Sequence, residues 1–478
     1  MNKELWAKIE AFQLDKWTDE YGFVLRLAKE NLWTKHFTES AILEYKKFMY
    51  LAATSNQMVS PSDIVDIVWH QHLIFTQSYN RFCKLLGKDI QHIPSTHNRT
   101  EIDKFREAKE QTTTLYTKAF GEQPKEIWEY RTMYDSLRLK KSKLSDNGLL
   151  GISVVLVIAL SIILFYPLRA IYREISSEVF LPFCIIIFIG LYIFMVRHSK
   201  TRIQEIITDS SYESFIFNLH PYEVMYLKNR GVSEGVIGTF HELIEQKNLK
   251  LEPKGRIRLI QSRIVKNREQ AAVLKGIEET DIRDYEDLVN MLKTKPVFMN
   301  NKIVIDALFS YIRNSNKINQ LIIQLLVTLG GMSFLAFMRI VIGISRDKPV
   351  FLISILTIVM IITTISTISA VSSSLIEKGV LAYYQSRIIP KKAKGNNWQW
   401  SYVEGGMAAL GAALTTTVIL SNSKHNNVFD SSNSWGTDSS SSSSSSHNTC
   451  SSDSGSSCGS SCGSSCGGCC GGCGGGGD

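Results

Sequence analysis

Two stretches decide how this chain folds: Leu149–Pro167, LLGISVVLVIALSIILFYP, and Val179–Val196, VFLPFCIIIFIGLYIFMV. Neither holds a charged residue. At about 1.5 Å per residue, a helix of either length crosses most of a hydrocarbon layer about 30 Å thick. Pro182 sits near the start of the second run, where its missing N–H costs little. Two uncharged runs joined by a short polar turn read as a transmembrane hairpin over 149–196, not as the core of a globular domain.

Working outward, two more apolar runs predict a second hairpin over 321–375. Leu321–Met338 is uncharged, Arg339 interrupts it, and Ile340–Ile344 resumes. Arg339 must either snorkel to the interface or face the bundle interior. Val350–Leu375 follows, closed by Glu377 and Lys378. A candidate fifth transmembrane helix lies at 404–420, rich in Gly, Ala and Thr. Trp398, Trp400 and Tyr402 precede it as an interfacial aromatic belt would. Gly405, Ala409 and Ala413 form a row of small residues that permits close helix packing.

The distribution of basic residues gives the orientation. Arg138, Lys140, Lys141 and Lys143 precede the first span, and Arg197, Lys200 and Arg202 follow the second. In the turn between them, Arg169 and Arg173 are offset by Glu174 and Glu178. Both flanks of the hairpin, and so the N-terminus, are expected in the cytoplasm of a multi-pass inner-membrane protein. Arg346 and Lys348, in the turn between the third and fourth spans, run against this trend. The tail after Leu420 lies outside if the fifth helix crosses and inside if it does not.

The chain has 478 residues, a formal charge of +8 and an isoelectric point near 8.8. Much of the basic excess flanks membrane spans, so anionic lipid accounts for it more cheaply than nucleic acid. The start, MNKELWAKIE, lacks the apolar core of a signal peptide. No P-loop, Rossmann fingerprint or nucleophile elbow occurs.

Residues 1–143 read as a cytoplasmic all-helical domain. Ala41–Ala53 places Leu43, Tyr45, Phe48, Met49 and Leu51 at helical spacing. Ser60-Pro61-Ser62-Asp63 is a helix start, with Ser60 as cap and Pro61 at the first helical position. The helix is expected to run to about Leu86. It carries DIVWHQH, Asp66 to His72, and steps of three and four put Val65, Val68, His72, Phe75, Tyr79 and Phe82 on one apolar stripe. Asp66 and His70, four apart, share a neighbouring face, where a carboxylate can fix an imidazole tautomer. His92 follows in Gln91-His92-Ile93-Pro94. Asp66, His70, His72 and His92 therefore form the candidate metal set, for zinc or another soft transition metal. Two histidines two residues apart diverge by about 200° around a regular helix, so His70 and His72 share an ion only where the helix ends or kinks. Otherwise His72 is a hydrogen-bonded core histidine and Asp66–His70 a structural pair.

This segment, with Ser78-Tyr79, Phe82-Cys83 and His92-Ile93-Pro94, resembles the glycine-rich domain proteins of plants, fungi and bacteria. Their hallmark is a D-x-V/L-W-H-x-H segment with a following Tyr, then a His before a Pro. Tyr116 and Phe120-Gly121-Glu122-Gln123-Pro124-Lys125-Glu126-Ile127-Trp128 look like that family's closing motif. The resemblance covers about residues 1–135 and brings no defined biochemical activity with it.

Residues 201–320 read as a cytoplasmic insert. His220-Pro221-Tyr222-Glu223 opens one helix and Val232–Gln246 forms a second. Leu249–Leu259 then alternates like a hairpin around Pro253–Gly255. Helix, helix, hairpin is a winged-helix order, but scattered basic residues favour a protein-contact module over a DNA reader. The PYEVMYL start at 221–227, the Arg346–Val350 turn and a Gly/Cys tail together resemble a family of uncharacterised bacterial membrane proteins with hypervariable C-termini. That resemblance spans about residues 145–478.

Residues 421–478 are a low-complexity Ser/Gly/Cys tail, expected to be disordered because nothing in it can bury a core. Of nine cysteines, seven lie from Cys450 onward; Cys83 and Cys184 stand alone. Cys458, Cys462, Cys466, Cys469, Cys470 and Cys473 are spaced as candidate soft-metal ligands or as thiols that crosslink to a partner or are modified. The whole reads as an all-α, non-enzymatic membrane protein that touches lipid and other proteins. Two alternatives remain open: a metal-dependent or metal-handling protein using Asp66, His70, His72 and His92, and a membrane-bound regulator acting through the insert.

Overall fold

The computed structural model describes residues 2–93, 102–143, 146–209, 214–252, 255–260, 265–280, 282–394, 397–410 and 472–474. Helix makes up 77% of the structure and the strands are short ladders, so the chain is all-α, as its patterning predicts. Before the membrane come α1 (Lys3–Ala11), α2 (Phe23–Asn31), α3 (Lys35–Thr54), α4 (Asp63–Ile74), α5 (Thr76–Leu86), the strand β1 (Gln91–Ile93), α6 (Ile102–Phe120) and α7 (Lys125–Trp128).

The expected helix start at Ser60 lies two residues later. Asp63 begins α4, and Ser62 caps it by accepting the Val65 N–H at 3.2 Å. Ser62 also donates to the carbonyl of Ile127 at 2.6 Å, which pins this cap to the segment around Trp128. The expected single helix to Leu86 is broken at Phe75, whose backbone (φ −88°, ψ 60°) leaves the helical region. No Gly or Pro causes this. Packing does: the turn sets Phe75 against Phe23 and lets Phe82 reach Phe12.

The membrane part is built from α8 (Asp146–Glu174), α9 (Ser177–Thr208), the pair α15 (Asn316–Leu325) and α16 (Gly331–Ile344) run together through a π-turn, and α17 (Phe351–Ser372). These give four helices long and apolar enough to cross a membrane: Gly151–Glu174, Ser177–Thr208, Asn316–Ile344 and Phe351–Ser372. Their outward faces expose Val155, Ile162, Ile163, Ile186, Ile358, Ile362 and Ile365. Such an apolar belt is stable against lipid and not against water, so the protein spans a membrane.

Arg339 faces the bundle interior. Its guanidinium donates to the carbonyls of Tyr172 and Ile175 at 2.7 and 2.6 Å and lies 5.0 Å from the ring centres of Tyr172 and Phe180. It thereby caps the last turn of α8, where a helix has carbonyls without intrahelical donors. Arg339→Leu is expected to cost about 2 kcal/mol, and Arg339→Lys to recover little of it, because one ammonium cannot bridge two carbonyls as a planar fork does. Thermal stability of the detergent-solubilised chain reads this out; an unchanged transition for Arg339→Leu removes the capping role.

Between the second and third spans lie α10 (Pro221–Asn229), α11 (Ser233–Glu245), the strands β2 (Leu249–Glu252) and β3 (Arg256–Leu259), α12 (Arg268–Glu279), α13 (Tyr285–Leu292) and α14 (Pro296–Arg313). The hairpin pairs Leu249 with Leu259 and Glu252 with Arg256. His220 and Glu223 form the capping box of α10: the His220 ring accepts from the Tyr222 N–H, and Glu223 accepts the His220 N–H. Helix α11, the second helix of the winged-helix order, is covered by α10, α12 and α13.

The N-terminal part and the insert share one hydrophobic core. Backbone bonds Ser142 to Asn314 and Asn316 to Lys140, both 2.8 Å, tie them beside the third span. Tyr134 stacks on Tyr311 at 4.4 Å. Both parts therefore lie at the same end of the membrane bundle.

After α17 come α18 (Ser374–Tyr383), α19 (Ile389–Ala393) and α20 (Trp398–Gly405). Trp400 and Tyr402 are buried on the insert instead of forming an interfacial belt. Tyr402 donates to Glu234 at 2.8 Å, and Trp398 packs beside His241. The candidate fifth span lies mostly beyond the described residues, as does the tail. There, of Cys458, Cys462, Cys466, Cys469, Cys470 and Cys473, Cys473 alone is described, in the strand β4 (Gly472–Gly474) paired with β1.

Candidate metal centre

The first turns of α4 carry Asp66, the middle of the helix carries His70, and β1 brings His92 back against them. Asp66 Oδ1 lies 2.9 Å from His92 Nε2, and Oδ2 lies 3.4 Å from His70 Nε2. The two imidazole rings are 4.4 Å apart, and one donor atom from each of the three residues falls within 4.8 Å of the others. Trp69, next to His70 in sequence, sets its indole 4.5 Å from the His92 ring and so fixes that ring's plane. Side-chain exposure runs from 9% at His92 and 14% at Asp66 to 58% at His70, so the cluster is closed on one side and open on the other.

Burial disfavours the Asp66 charge, yet hydrogen bonds from His70 and His92 hold its carboxyl below the usual carboxylate range. The bond to Asp66 pushes His70 above the usual imidazole range, against the smaller opposing effect of burial. The site thus keeps an anionic oxygen between two imidazoles. Donors at metal–ligand distances of about 2.0–2.2 Å on a tetrahedral ion sit roughly 3.3–3.6 Å apart; the two carboxylate–imidazole spacings, 2.9 and 3.4 Å, lie near that range, and the three donor atoms fall within 4.8 Å of one another.

His72 does not join this set. It is fully buried on the opposite face of α4, because the helix stays regular through residues 70–72 and breaks only at Phe75. Its Nδ1 is 2.8 Å from Tyr45 Oη and its Nε2 is 3.1 Å from Ser78 Oγ. Ser78 donates its own proton to the Leu14 carbonyl at 2.6 Å, so it accepts from Nε2–H, and Nδ1 accepts from Tyr45. The ring is a neutral, fully bonded core histidine. The rest of the apolar stripe packs as expected, with Val65, Val68, Tyr79 and Phe82 buried.

Helical periodicity misses a buried carboxylate. Glu44 on α3 is 2% exposed, and Leu43 beside it points outward. Its Oε2 accepts from Tyr116 Oη at 2.7 Å and Trp128 Nε1 at 2.8 Å, and its Oε1 from Lys47 at 2.8 Å. Tyr116 and Trp128, singled out in the closing motif, are the signal that could have found it, because buried phenol and indole donors need an acceptor.

A family model described as UCP032817-like matches residues 11–113, a stretch that contains Asp66, His70, His72 and His92. No curated protein and no solved structure matches the chain.

Proposed function

We propose that this chain is a non-enzymatic, multi-pass inner-membrane protein whose N-terminal part lies in the cytoplasm and binds a divalent transition-metal ion through Asp66, His70 and His92. The observation that carries the reading is the convergence of two imidazole nitrogens and one carboxylate oxygen within 4.8 Å. Imidazole and carboxylate together suit Zn²⁺ or a similar first-row ion, and the exposed side of His70 leaves room for water as a further ligand. Kinship of residues 1–135 with glycine-rich domain proteins is part of the same proposal. The tail thiols are assigned a separate role in binding, crosslinking or modification.

The test uses the full chain in detergent with its tail thiols alkylated, so that they cannot bind metal. Dialysis against Co²⁺ is expected to load one ion per chain, with a visible d–d spectrum. His70→Ala and His92→Ala should each weaken Co²⁺ binding by about a hundredfold, the effect of losing one of three protein ligands, while the melting transition of the apo protein moves little for the exposed His70. Substoichiometric Co²⁺ in the parent chain, or unchanged loading in both variants, removes the metal centre and leaves Asp66–His70 as a structural pair.

A further inference from the structure

A groove runs down the membrane bundle on the side of the N-terminal part. Helix α8 is fastened to α16 near its far end, where Tyr172 donates to the Leu335 carbonyl at 2.9 Å and Arg339 caps its last turn. Toward the start of α8, a groove of about 530 Å³ separates it from its neighbours. Its lining comes from residues 149–157 of α8, 322–337 of α15 and α16, and 361–372 of α17. The wall is apolar, because the hydroxyls of Ser333 and Thr364 are returned to their own helices, on the Leu329 and Met360 carbonyls at 2.9 and 2.8 Å.

Its dimensions match one half of a bilayer. At about 1.5 Å per residue the groove follows about 16 Å of α17 and about 22 Å of α15 and α16, whereas one leaflet of hydrocarbon is about 15 Å deep. Its near end lies at the N-terminal part: α8 and α15 both enter the membrane from there, and α17 returns to it at Ser372.

The mouth is basic. Lys140, Lys141 and Lys143 are exposed in the segment that leads into α8. None of the three pairs with a carboxylate among the described residues. Asp146 is the one acid between Lys140 and Leu149, so three positive charges stand against one negative. The Asn316 N–H donates to the Lys140 carbonyl and the Ser142 N–H to the Asn314 carbonyl, both at 2.8 Å, which lays the lysine segment beside the start of α15. Ile322, the groove's first residue on α15, follows Asn316 by six residues, or about 9 Å of helix. The lysines therefore stand at about the level of the polar head groups, directly above the groove.

We infer that this groove is a binding site for an anionic phospholipid, with one acyl chain lying between α8, α15, α16 and α17 and the phosphate held by Lys140, Lys141 and Lys143. A zwitterionic lipid offers the same chain but no net charge to the lysines, so the head group sets the preference. The bound chain fills the space beside the first half of α8 and holds that half to the bundle.

The π-turn at residues 326–330 supplies the variant that tests this. Gly330 lines the groove, and a Cβ there would meet no neighbouring atom within 4 Å. Its backbone is helical, with φ −64°, so a larger side chain brings no strain. Gly330→Leu therefore fills the groove and leaves the fold in place, with a melting temperature at or above that of the parent chain.

The experiment is native mass spectrometry of the full chain in detergent, at low ionic strength, titrated with dioleoylphosphatidylglycerol or dioleoylphosphatidylcholine. The two probes share their acyl chains and differ in head-group charge. One phosphatidylglycerol per chain is expected to bind saturably, at least tenfold more tightly than phosphatidylcholine. Gly330→Leu should abolish this saturable binding. The combined variant Lys140→Gln, Lys141→Gln, Lys143→Gln should keep chain binding but bind both lipids alike, and its exposed substitutions leave the fold untouched. Equal binding of the two lipids by the parent chain, or none that saturates, overturns the inference and leaves ordinary boundary lipid only. It is equally overturned if Gly330→Leu binds phosphatidylglycerol like the parent chain, or if the lysine variant keeps the preference.

Discussion

Replacing Glu44 by Ala is expected to cost about 3–5 kcal/mol, enough to unfold the N-terminal part near physiological temperature. The Glu44 side chain collects three donors in a buried position: Tyr116 Oη, Trp128 Nε1 and Lys47 Nζ. Burial and the neighbouring carboxylate both push the Tyr116 hydroxyl above its usual range, so it stays a donor throughout the accessible pH range. Removing the carboxylate leaves an indole N–H and a phenol O–H facing the interior with no acceptor, and a half-buried Lys47 with no counter-charge. Glu44→Gln keeps one acceptor oxygen for both rings, so its loss should be smaller, about 1–2 kcal/mol. Denaturation followed by tryptophan fluorescence checks this, because Trp128 sits in the cluster. An Ala variant that unfolds with the parent chain shows that the cluster stabilises nothing.

The same substitution should reach the proposed metal centre without touching a candidate ligand. The segment that Glu44 holds through Trp128 includes Ile127, whose carbonyl takes the hydroxyl proton of Ser62. Ser62 caps α4, and α4 carries Asp66 and His70. Loosening Trp128 frays the N-terminus of α4 and spreads the donor set, so Glu44→Ala should bind Co²⁺ less tightly even under conditions where it remains folded.

How much of this was legible depended on which physical signal each feature carries. Membrane spans announce themselves by length and lack of charge, and all four stand where the apolar runs place them. Caps and hairpins announce themselves by residue type, as His220-Pro221-Tyr222-Glu223 and the turn at Gly255, whose backbone has φ +77°, illustrate. The break at Phe75 had no such signal, because it arises from where Phe23 and Phe12 lie in space. Glu44 was hidden for a related reason: a charged residue on a helix reads as solvent-facing until its ring donors, Tyr116 and Trp128, over seventy residues away, are seen. The pairing of Asp66 with His70 was written in the four-residue spacing; the return of β1 decided that His92 joins them, and the unbroken helix through residues 70–72 that His72 does not.

His72→Ala supplies the sharpest separation between core and site. The variant is expected to lose about 3 kcal/mol: a fully buried ring disappears from among Phe23, Tyr45, Tyr79 and Phe82, and the hydrogen bonds to Tyr45 and Ser78 go with it. Its metal loading, measured on whatever fraction remains folded, should equal that of the parent chain, the reverse of the His70→Ala pattern. The pH dependence gives an independent reading. Burial, helped by the charge on Lys46, pushes the His72 pKa down from 6.5 to about 3 in the folded chain. Between those values the unfolded chain binds a proton that the folded chain refuses, so stability rises with pH there and falls as acid is added below about pH 6.5. The slope from this residue approaches about 1.4 kcal/mol per pH unit, and His72→Phe, which cannot take up a proton in either state, should lack it. If His72→Phe keeps the full acid slope, the imidazole is not the group refusing the proton. If His72→Ala instead stays as stable as the parent and sheds its Co²⁺, then His72 is a ligand, and the assignment of α4's two faces to core and metal is inverted.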